Sequence, residues 1–477
     1  MKLPGNFYPI FLLLIAIGSP TASADDVETL LGSIDQRGDQ FDALAMTLWD
    51  HAELGYLETK SSALLQSHLS AEGFEVTSGV AGIPTAFVAS FGEGEPVIAL
   101  LAEFDALPGI SQAAVPTRQK VEHKHSGHAC GHHLFGAGSS AAAVAIRHWM
   151  EREGIEGTVR LYGTPAEEGG SGKVYMVRAG LFDDVDTVLH WHPSDRNAAN
   201  AESSLANKSA RFKFSGVSSH ASAAPERGRS ALDGVEAMNY MTSLLREHVP
   251  QETRIHYVIT QGGEAPNVVP DYAEVYYYVR HPNADRLKKI WSRVIDTANA
   301  AAMGTGTSVA VEVMHGNHSV LPNEVLARQM HKNLSKVGGV NYNAEEQAFA
   351  ETLSYSLSGD FLGMEREIMP FRISQGMGST DVGDISWVVP TVGLRTATWV
   401  PGTAAHSWQA IAAGGTSIGM KGMRVASKTL ALMARDLMLD PGLIGAGRLE
   451  LQRRRGLKFQ YEALLGDRAP PLKYRLR

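Results

Sequence analysis

Apolar positions recur along the chain with two different spacings. Between residues 27 and 72 they lie three and four residues apart, which predicts helices. From residue 74 the spacing becomes that of strands, and the run at 97–101 is apolar throughout, which is typical of a strand buried on both faces. The segments that follow are a helix at 137–151, a strand at 158–162, a helix near 172–179 and a strand at 187–190. Strands that alternate with helices predict an α/β domain with a mostly parallel sheet.

The middle of the chain predicts a second module of the α+β type. Its segments are antiparallel-looking strands at 208–217, 255–261 and 271–280, with helices near 229–247 and 283–302. We therefore expect an inserted domain at 206–316, which splits the α/β domain into 25–205 and 317–455. After the insertion the pattern predicts a helix at 322–337, a polar loop region at 341–375 and a long helix at 415–438. Residues 456–477, rich in Arg and Pro, are expected to form a peripheral tail.

The first 24 residues have the layout of a secretory signal peptide. Lys2 precedes an uninterrupted apolar run at 11–17, and small residues end the segment at Ala22-Ser23-Ala24. The run is shorter than the ~20 residues that span a membrane as a helix. We expect cleavage after Ala24 and an exported protein, periplasmic or secreted.

Composition, net charge and cysteine count limit the classes of protein to which this chain can belong. The chain has 477 residues, 44% of them hydrophobic and 20% charged, which is the composition of a folded protein. A net charge of −8 gives no general attraction to nucleic acid or anionic lipid. Cys130 is the one cysteine, so no intrachain disulfide can form, and five of the 18 histidines lie within a few residues of it.

Potential metal ligands and acids follow several predicted strands. Cys130-x-His132 opens a helix, and Glu167-Glu168 comes directly after the strand at 158–162. His192 closes the strand that begins at 187, which Pro193 is expected to end, and His406 lies in a Gly-rich loop far downstream. Thiolate and imidazole suit zinc-like ions, and carboxylate and imidazole suit manganese. Each motif alone also fits a surface histidine cluster, an inert buried cysteine or a solvated acidic turn; together they favour a metal site at the carboxyl edge of the sheet.

A competing motif is present at residues 415–419, which read Gly-Thr-Ser-Ile-Gly and fit the G-x-S-x-G pattern of serine hydrolases. No strand precedes it, and a long amphipathic helix follows. Capping of that helix by Thr416 or Ser417 is therefore the better interpretation.

Nine motifs in a fixed order carry a family resemblance. They are Glu53-Leu54-Gly55, Asp105-Ala106-Leu107-Pro108, His128-Ala129-Cys130-Gly131-His132, Pro165-Ala166-Glu167-Glu168-Gly169-Gly170, Trp191-His192-Pro193, Ser219-His220-Ala221, Pro266-Asn267-Val268-Val269, the run 379–384 and His406-Ser407-Trp408. Over about residues 27 to 440 the chain resembles the aminoacylase/carboxypeptidase family of dinuclear metallohydrolases. Within that family it is most similar to the amidohydrolase branch of indole-acetyl-amino-acid and p-aminobenzoyl-glutamate hydrolases.

The resemblance implies a role for each matching position. It implies that two divalent ions, Mn²⁺ or Zn²⁺, are bound by Cys130, His132, Glu168, His192 and His406. Glu167 would be the general base and acid. In the inserted domain, which serves as dimerisation domain and lid in the family, His220 and Asn267 match residues that reach the active site of a dimer partner. Arg280 matches an arginine that can bind the substrate carboxylate.

Two positions depart from other branches of the family. Glu103 stands where peptidase branches carry a metal-binding histidine, which fits a branch that uses Cys130 instead. His133 stands where other branches carry Asp or Asn, and it is expected to support the site rather than bind metal.

The activity implied is hydrolysis of the amide bond of an N-acyl or N-aroyl amino acid by a metal-activated water. Two alternatives remain open: a dipeptidase or carboxypeptidase, and a non-catalytic metal- or ligand-binding protein that requires a paralogous partner. The resemblance implies a homodimer or such a heteromer.

Overall fold

The computed structural model describes residues 24–476 of the chain. The predicted signal peptide therefore lies outside the described residues, except for Ala24, which opens the first helix. None of the helices in the described range is both long and apolar enough to cross a membrane.

The described residues form an α/β domain and an inserted α+β domain. The strands are β1 (Glu75–Ser78), β2 (Phe87–Glu93), β3 (Val97–Ala102), β4 (Leu107–Pro108), β5 (Ser126–Gly127), β6 (Gly157–Gly163), β7 (Thr187–Ser194), β8 (Ala201–Ser203), β9 (Ala206–Ser215), β10 (Arg254–Gln261), β11 (Tyr272–His281), β12 (Ser308–Asn317), β13 (Ile373–Gln375) and β14 (Thr391–Ala397). The helices are α1 (Ala24–Gln36), α2 (Gly38–His51), α3 (Thr59–Ala71), α4 (His132–Glu153), α5 (Gly172–Arg178), α6 (Ala231–Leu245), α7 (Ala284–Thr305), α8 (Glu324–Val337), α9 (Ala344–Ser354), α10 (Val382–Ser386), α11 (Trp408–Gly414), α12 (Ser417–Leu439) and α13 (Pro441–Arg455).

The α/β domain is built on a six-stranded sheet in the order β1-β2-β6-β3-β7-β14. The pairs β6–β3, β3–β7 and β7–β14 are parallel, and the two pairs at the β1 edge are antiparallel. All six residues of β3 are buried, as its apolar sequence predicts. Helix α4 packs on this sheet beside α12, and Gly138 leaves the space that the Trp191 ring of β7 fills. The predicted α/β class with a mostly parallel sheet is confirmed.

The inserted domain, called the lid here, has a four-stranded antiparallel sheet in the order β10-β11-β9-β12. Helices α6 and α7 pack against each other and onto the sheet. The lid has its own hydrophobic core, with Phe212, Tyr277 and Trp291 among its large members. Strand β12 was not predicted separately.

Two helices, α9 and α13, lie in segments where the sequence pattern predicted none. Helix α9 lies in the predicted loop region, and its start is fixed by a capping box between Asn343 and Glu346. Helix α13 begins with Asp440 as N-cap and Pro441 in the first turn. Thr416 caps α12, as the capping interpretation of the G-x-S-x-G motif predicts.

Strand β7 does not stop at Pro193 but runs to Ser194, so that prediction is wrong. The backbone N–H of Val188 donates to the Pro390 carbonyl, on the β14 side of β7. Because backbone N–H groups alternate in direction along a strand, the ring nitrogen of Pro193 points to the opposite side, toward β3. Strand β3 pairs only with Thr187–Leu189, and the missing N–H of Pro193 therefore costs no bond of the sheet.

The C-terminal tail is not peripheral, contrary to the expectation from composition. Leu464 is buried in the lid core and Leu465 in the core of the α/β domain. The Tyr461 hydroxyl donates to Asp384 Oδ1 at 2.7 Å, and Lys208 Nζ donates to the Leu464 carbonyl at 2.8 Å. The Arg and Pro content of the tail indicated that it is solvated, but a few of its apolar and aromatic side chains pack into the two domains and hold it there.

Candidate metal centre and active site

The predicted ligands come together at the carboxyl edge of the central sheet. Cys130 and His132 lie on either side of Gly131, whose positive φ of 78° turns the chain into α4. Glu167 and Glu168 follow β6, and His192 lies near the end of β7. His406, in the loop after β14, has a φ of 62° and donates its backbone N–H to the Ala129 carbonyl.

Two groups of three ligand atoms share the Cys130 sulfur. In one group Cys130 joins His132 and His192, and in the other it joins Glu168 and His406; within each group the ligand atoms lie within 4.8 Å of one another. The closest approaches are 3.4 Å between Cys130 Sγ and His192 Nε2 and 3.1 Å between His406 Nε2 and Glu168 Oε1. All five predicted metal ligands therefore belong to one cluster, with the thiol at its centre.

Neighbouring groups fix how the imidazoles present their nitrogens. His192 Nδ1 lies 2.7 Å from the Pro193 carbonyl, to which it donates, and Nε2 is left facing Cys130. His132 Nδ1 lies 3.0 Å from Asp105 Oδ1, which leaves His132 Nε2 free for an ion. Such a second hydrogen bond sets the tautomer and the direction of a metal-binding histidine.

The charges of the cluster follow from burial and from these contacts. Burial raises the pKa of the Cys130 thiol and lowers that of His192. Burial opposes the charged form of His132, but the facing Cys130, Glu103 and Asp105 outweigh it and raise the pKa of His132 well above its usual value. The hydrogen bond to Glu168 raises the pKa of His406. Proton and metal ion therefore compete for the same atoms.

Glu167 lies in a third group, with Glu103 and His132, whose ligand atoms are also within 4.8 Å of one another. Burial, and next the carboxylates of Glu103 and Glu168, raise the pKa of Glu167 well above its ordinary value. A buried carboxylate with a raised pKa beside these ligand groups is suited to take up a proton and return it.

A buried lysine that the sequence reasoning missed stands behind this group. Lys173 Nζ lies 2.7 Å from Glu103 Oε1 and 2.7 Å from Asp381 Oδ1, and all three side chains are buried. Lys173 follows a Gly-Ser-Gly run in the chain, and no local pattern marked it as buried. Its charge partly neutralises the carboxylates that crowd around Glu167.

Asp105 connects two ligands, although the sequence reasoning gave it no role beyond its motif. Its Oδ1 accepts from His132 Nδ1, and its Oδ2 accepts the backbone N–H of Glu168 at 2.9 Å. One side chain thus orients an imidazole and the peptide unit of a carboxylate ligand.

The donor set fits two divalent ions. His132 Nε2 and Glu103 Oε2 are buried and approach within 3.1 Å, yet neither makes a hydrogen bond. Buried polar atoms without partners are rare, and here an ion would satisfy them. One thiol, three imidazoles and a carboxylate provide the ligand types that zinc-like ions and manganese accept.

The three predicted substrate-binding or catalytic residues of the lid lie outside these ligand groups. His220 and Asn267 are exposed, in segments bridged by the pairing of His220 with Val268. Arg280 is half-buried on β11, with its guanidinium 5.4 Å from the centre of the Tyr278 ring and its Nε without a hydrogen bond.

The other histidines near Cys130 are held by backbone groups. His133 Nε2 lies 3.0 Å from the Gly414 carbonyl, and His128 Nε2 lies 3.0 Å from the Leu48 carbonyl. Among the described residues, neither belongs to a group that could hold a metal ion. The supporting position expected for His133 agrees with these contacts.

Known proteins share much of this sequence. Residues 206–305 match the model of the peptidase dimerisation domain of the M20 family. The chain is 41% identical to the B subunit of p-aminobenzoyl-glutamate hydrolase from Escherichia coli (strain K12), over 84% of this chain and 89% of that protein. It is 31% identical to the Xaa-Arg dipeptidase of Mus musculus, over 94% of this chain and 97% of that protein.

Solved structures share the fold. A dinuclear metal-binding peptidase of the M20 family from Bacillus subtilis superposes with a TM-score of 0.56 at 18% identity, over 84% of this chain and 99% of that one. The aminobenzoyl-glutamate utilization protein of Klebsiella pneumoniae gives 0.59 at 18% identity, over 85% and 97%. The resemblance drawn from the sequence motifs is confirmed. The chain belongs to the M20 family of peptidases and amidohydrolases and is a hydrolase of amide bonds.

Proposed function

We propose that this protein cleaves the amide bond of N-acyl or N-aroyl amino acids of the p-aminobenzoyl-glutamate type. The observation that carries the proposal is the pair of ligand groups joined through Cys130, with Glu167 in the adjoining group. The 41% identity to one chain of a p-aminobenzoyl-glutamate hydrolase supports the substrate class.

The chemistry divides between the ions and the chain. Two divalent ions, which we propose to be Mn²⁺ or Zn²⁺, would lower the pKa of a water molecule and polarise the amide carbonyl. Glu167 takes the proton from that water as general base, and the same carboxyl then donates it to the leaving nitrogen. The raised pKa of Glu167 favours the second step, because the protonated carboxyl is then stable in the site.

His220 is proposed to stabilise the oxyanion in the active site of a dimer partner. Its Nδ1 accepts the backbone N–H groups of Ser222 and Ala223, at 3.3 and 3.1 Å. The ring proton is therefore on Nε2, which is exposed and can donate. The exposure of His220 and Asn267 supports a role in a second copy of the chain, and the match to a dimerisation domain supports a homodimer.

Two arginines support an anionic substrate. Arg280, on the lid, has an unpartnered Nε, and burial lowers the pKa of its guanidinium. Arg395 is paired in register with His192 on the neighbouring parallel strand, so both side chains point to the same face of the sheet. Its Nε forms an ion pair with Glu202 Oε2 at 3.7 Å, without a hydrogen bond, and the Arg395 side chain is half-exposed. We propose that these cations meet substrate carboxylates.

The test is product release from a panel of N-acyl amino acids, p-aminobenzoyl-glutamate and dipeptides. The chain from Asp25, loaded with Mn²⁺ or Zn²⁺, is assayed beside Glu167→Gln, which keeps the size of the side chain. We expect the variant to retain both ions and to lose about 10²–10⁴-fold in kcat. Equal turnover by the two proteins would refute the role of Glu167, and the ranking of the panel identifies the substrate.

A mixing experiment tests the shared active site. Glu167→Gln and His220→Gln homodimers are each expected to lose activity, whereas a hybrid dimer should have one intact site, made of Glu167 from one chain and His220 from the other. Random mixing should restore about a quarter of the wild-type activity, because half of the dimers are hybrids with one working site of two. No recovery in proven hybrids would show that His220 does not act across the interface.

Dipeptide hydrolysis is the second candidate function, because the chain is 31% identical to an Xaa-Arg dipeptidase over 94% of its length. A free amino group on the acyl side distinguishes the two substrate classes, so the same panel decides between them.

A heteromer is also proposed as an alternative assembly. The relative that is 41% identical is the B subunit of its enzyme, and the A subunit of p-aminobenzoyl-glutamate hydrolase from the same organism is 27% identical over 55% of this chain. Activity of the lone purified chain would exclude a required partner.

We further propose that the protein is exported after cleavage behind Ala24, on the basis of the apolar run and the Ala-x-Ala sequence. The N-terminal sequence of the protein recovered from the periplasm or medium tests this: Asp25 as first residue supports it, and an intact Met1 refutes it.

A further inference from the structure

The C-terminal segment, residues 456–476, crosses both domains before it reaches the metal centre. Leu464 and Leu465 anchor it in the cores of the lid and of the α/β domain. Arg178 Nη1 then donates to the Arg468 carbonyl at 2.8 Å. The segment ends at the loop that carries Glu168.

The last described residues hold the backbone of Glu168. The Tyr474 hydroxyl donates to the Glu168 carbonyl at 3.3 Å, and the Arg475 guanidinium donates to the same oxygen. The N–H of Glu168 is held by Asp105 Oδ2 at 2.9 Å. Both polar groups of this residue's main chain are thus fixed, which restrains the direction in which its carboxylate leaves the loop.

The neighbouring residues are shaped to receive this segment. A Cβ atom at Gly55 would overlap the Tyr474 hydroxyl, so glycine leaves the space for it. The rings of Tyr56 and Tyr474 pack edge to face with their centres 5.7 Å apart, and the Tyr56 hydroxyl donates to the Gly170 carbonyl at 2.7 Å. Two tyrosines from distant parts of the chain therefore hold carbonyls of the same loop.

We propose that Tyr474 and Arg475 are positioning residues for Glu168 and that the C-terminal segment is a working part of the metal centre. The inference rests on the proposed function only through the role of Glu168 as a metal ligand. Outer partners of metal ligands typically contribute 10–100-fold to metal affinity. The segment also joins the lid to this loop, because its anchor at Leu464 lies in the lid core.

The test compares full-length Tyr474→Phe and Arg475→Gln with Arg475→Lys, which retains a cationic donor, and with Lys473→Gln, an exposed neighbour in the same segment. Zn²⁺ affinity is measured by competition with a chromophoric chelator, and the ligand field is measured from the visible spectrum after Co²⁺ substitution. Unfolding temperatures of the metal-free proteins report on folding. Glu168→Gln is measured alongside.

We expect Arg475→Gln to weaken binding of one of two ions by about 10–100-fold and to shift the Co²⁺ spectrum, with Arg475→Lys partly restored and Lys473→Gln unchanged. Tyr474→Phe should have a smaller effect in the same direction, because its hydroxyl is a neutral donor whereas the Arg475 guanidinium is charged. Unchanged affinity in Arg475→Gln, or a lower unfolding temperature with normal affinity, overturns the inference. If Glu168→Gln itself binds both ions normally, the ligand role in the proposed function has failed; if Glu168→Gln is weakened and Arg475→Gln is not, only the positioning role has failed.

Discussion

Replacing Lys173 by methionine tests the buried charges behind the metal centre. Methionine has a similar length but no charge, so Glu103 and Asp381 each lose a partner at 2.7 Å while they stay buried. Removing one member of a buried ion pair typically costs about 3–5 kcal/mol. In a domain of this size, that lowers the unfolding temperature by roughly 6–10 °C, at roughly 2 °C per kcal/mol.

The stability lost in Lys173→Met should depend on pH, because the carboxylates left without a partner can be protonated. Burial raises the pKa of Glu103 and Lys173 opposes that rise, so without Lys173 the Glu103 carboxyl is protonated more readily, which removes an unpaired buried charge. The loss of stability should therefore be larger at alkaline pH and shrink as the pH falls and the buried carboxyl takes up a proton. Lys173 also lowers the pKa of Glu167, so the acid limb of the kcat/KM profile should move to higher pH in the variant.

The assay is thermal unfolding of metal-free protein across pH, together with a pH–rate profile of the loaded enzyme. Lys213→Met is the matched control, because Lys213 Nζ lies 2.6 Å from Glu312 Oε2 while their side chains are 36% and 44% exposed. A partly exposed pair of this kind is worth about 0–1 kcal/mol. Equal shifts of the unfolding temperature in the two variants, or an unmoved acid limb in Lys173→Met, would contradict the role assigned to the burial of Lys173.

Other contacts give three further predictions. Cys130→Ser should weaken both metal sites, because the thiol is the atom that the two ligand groups share; loss of only one ion on titration would contradict this. His133→Gln should keep both ions, since its Nε2 contacts the Gly414 carbonyl, whereas His132→Gln should lose one; metal analysis after dialysis compares the two. Asn343→Ala should cost about 1 kcal/mol by removing the N-cap of α9, and an unchanged unfolding midpoint would show that the capping box is not needed there.

The fold class and most members of the ligand cluster follow from the amino-acid sequence alone. Apolar runs such as Val97–Ala102 require burial on both faces, and the alternation of strands and helices brings the carboxyl ends of several strands to one edge. That rule was enough to bring Cys130, Glu168, His192 and His406 together, although they are spread over most of the chain. Helix α9 is an exception: residues 341–375 were predicted as a loop region from their polar composition, although Asn343 and Glu346 have the spacing of a capping box.

The residues that support the ligand cluster are set by packing between distant segments of the chain. Lys173, Asp381 and Tyr474 are ordinary residues in the sequence, because burial and partnership depend on segments hundreds of positions apart. Pro193 was predicted to end its strand, yet the strand continues through it. Strand β3 pairs with β7 only as far as Leu189, so no strand on that side requires the N–H that proline lacks. The C-terminal segment shows the same limit: local composition reports the preference of a segment for water, whereas docking depends on the surface that the rest of the chain presents to it.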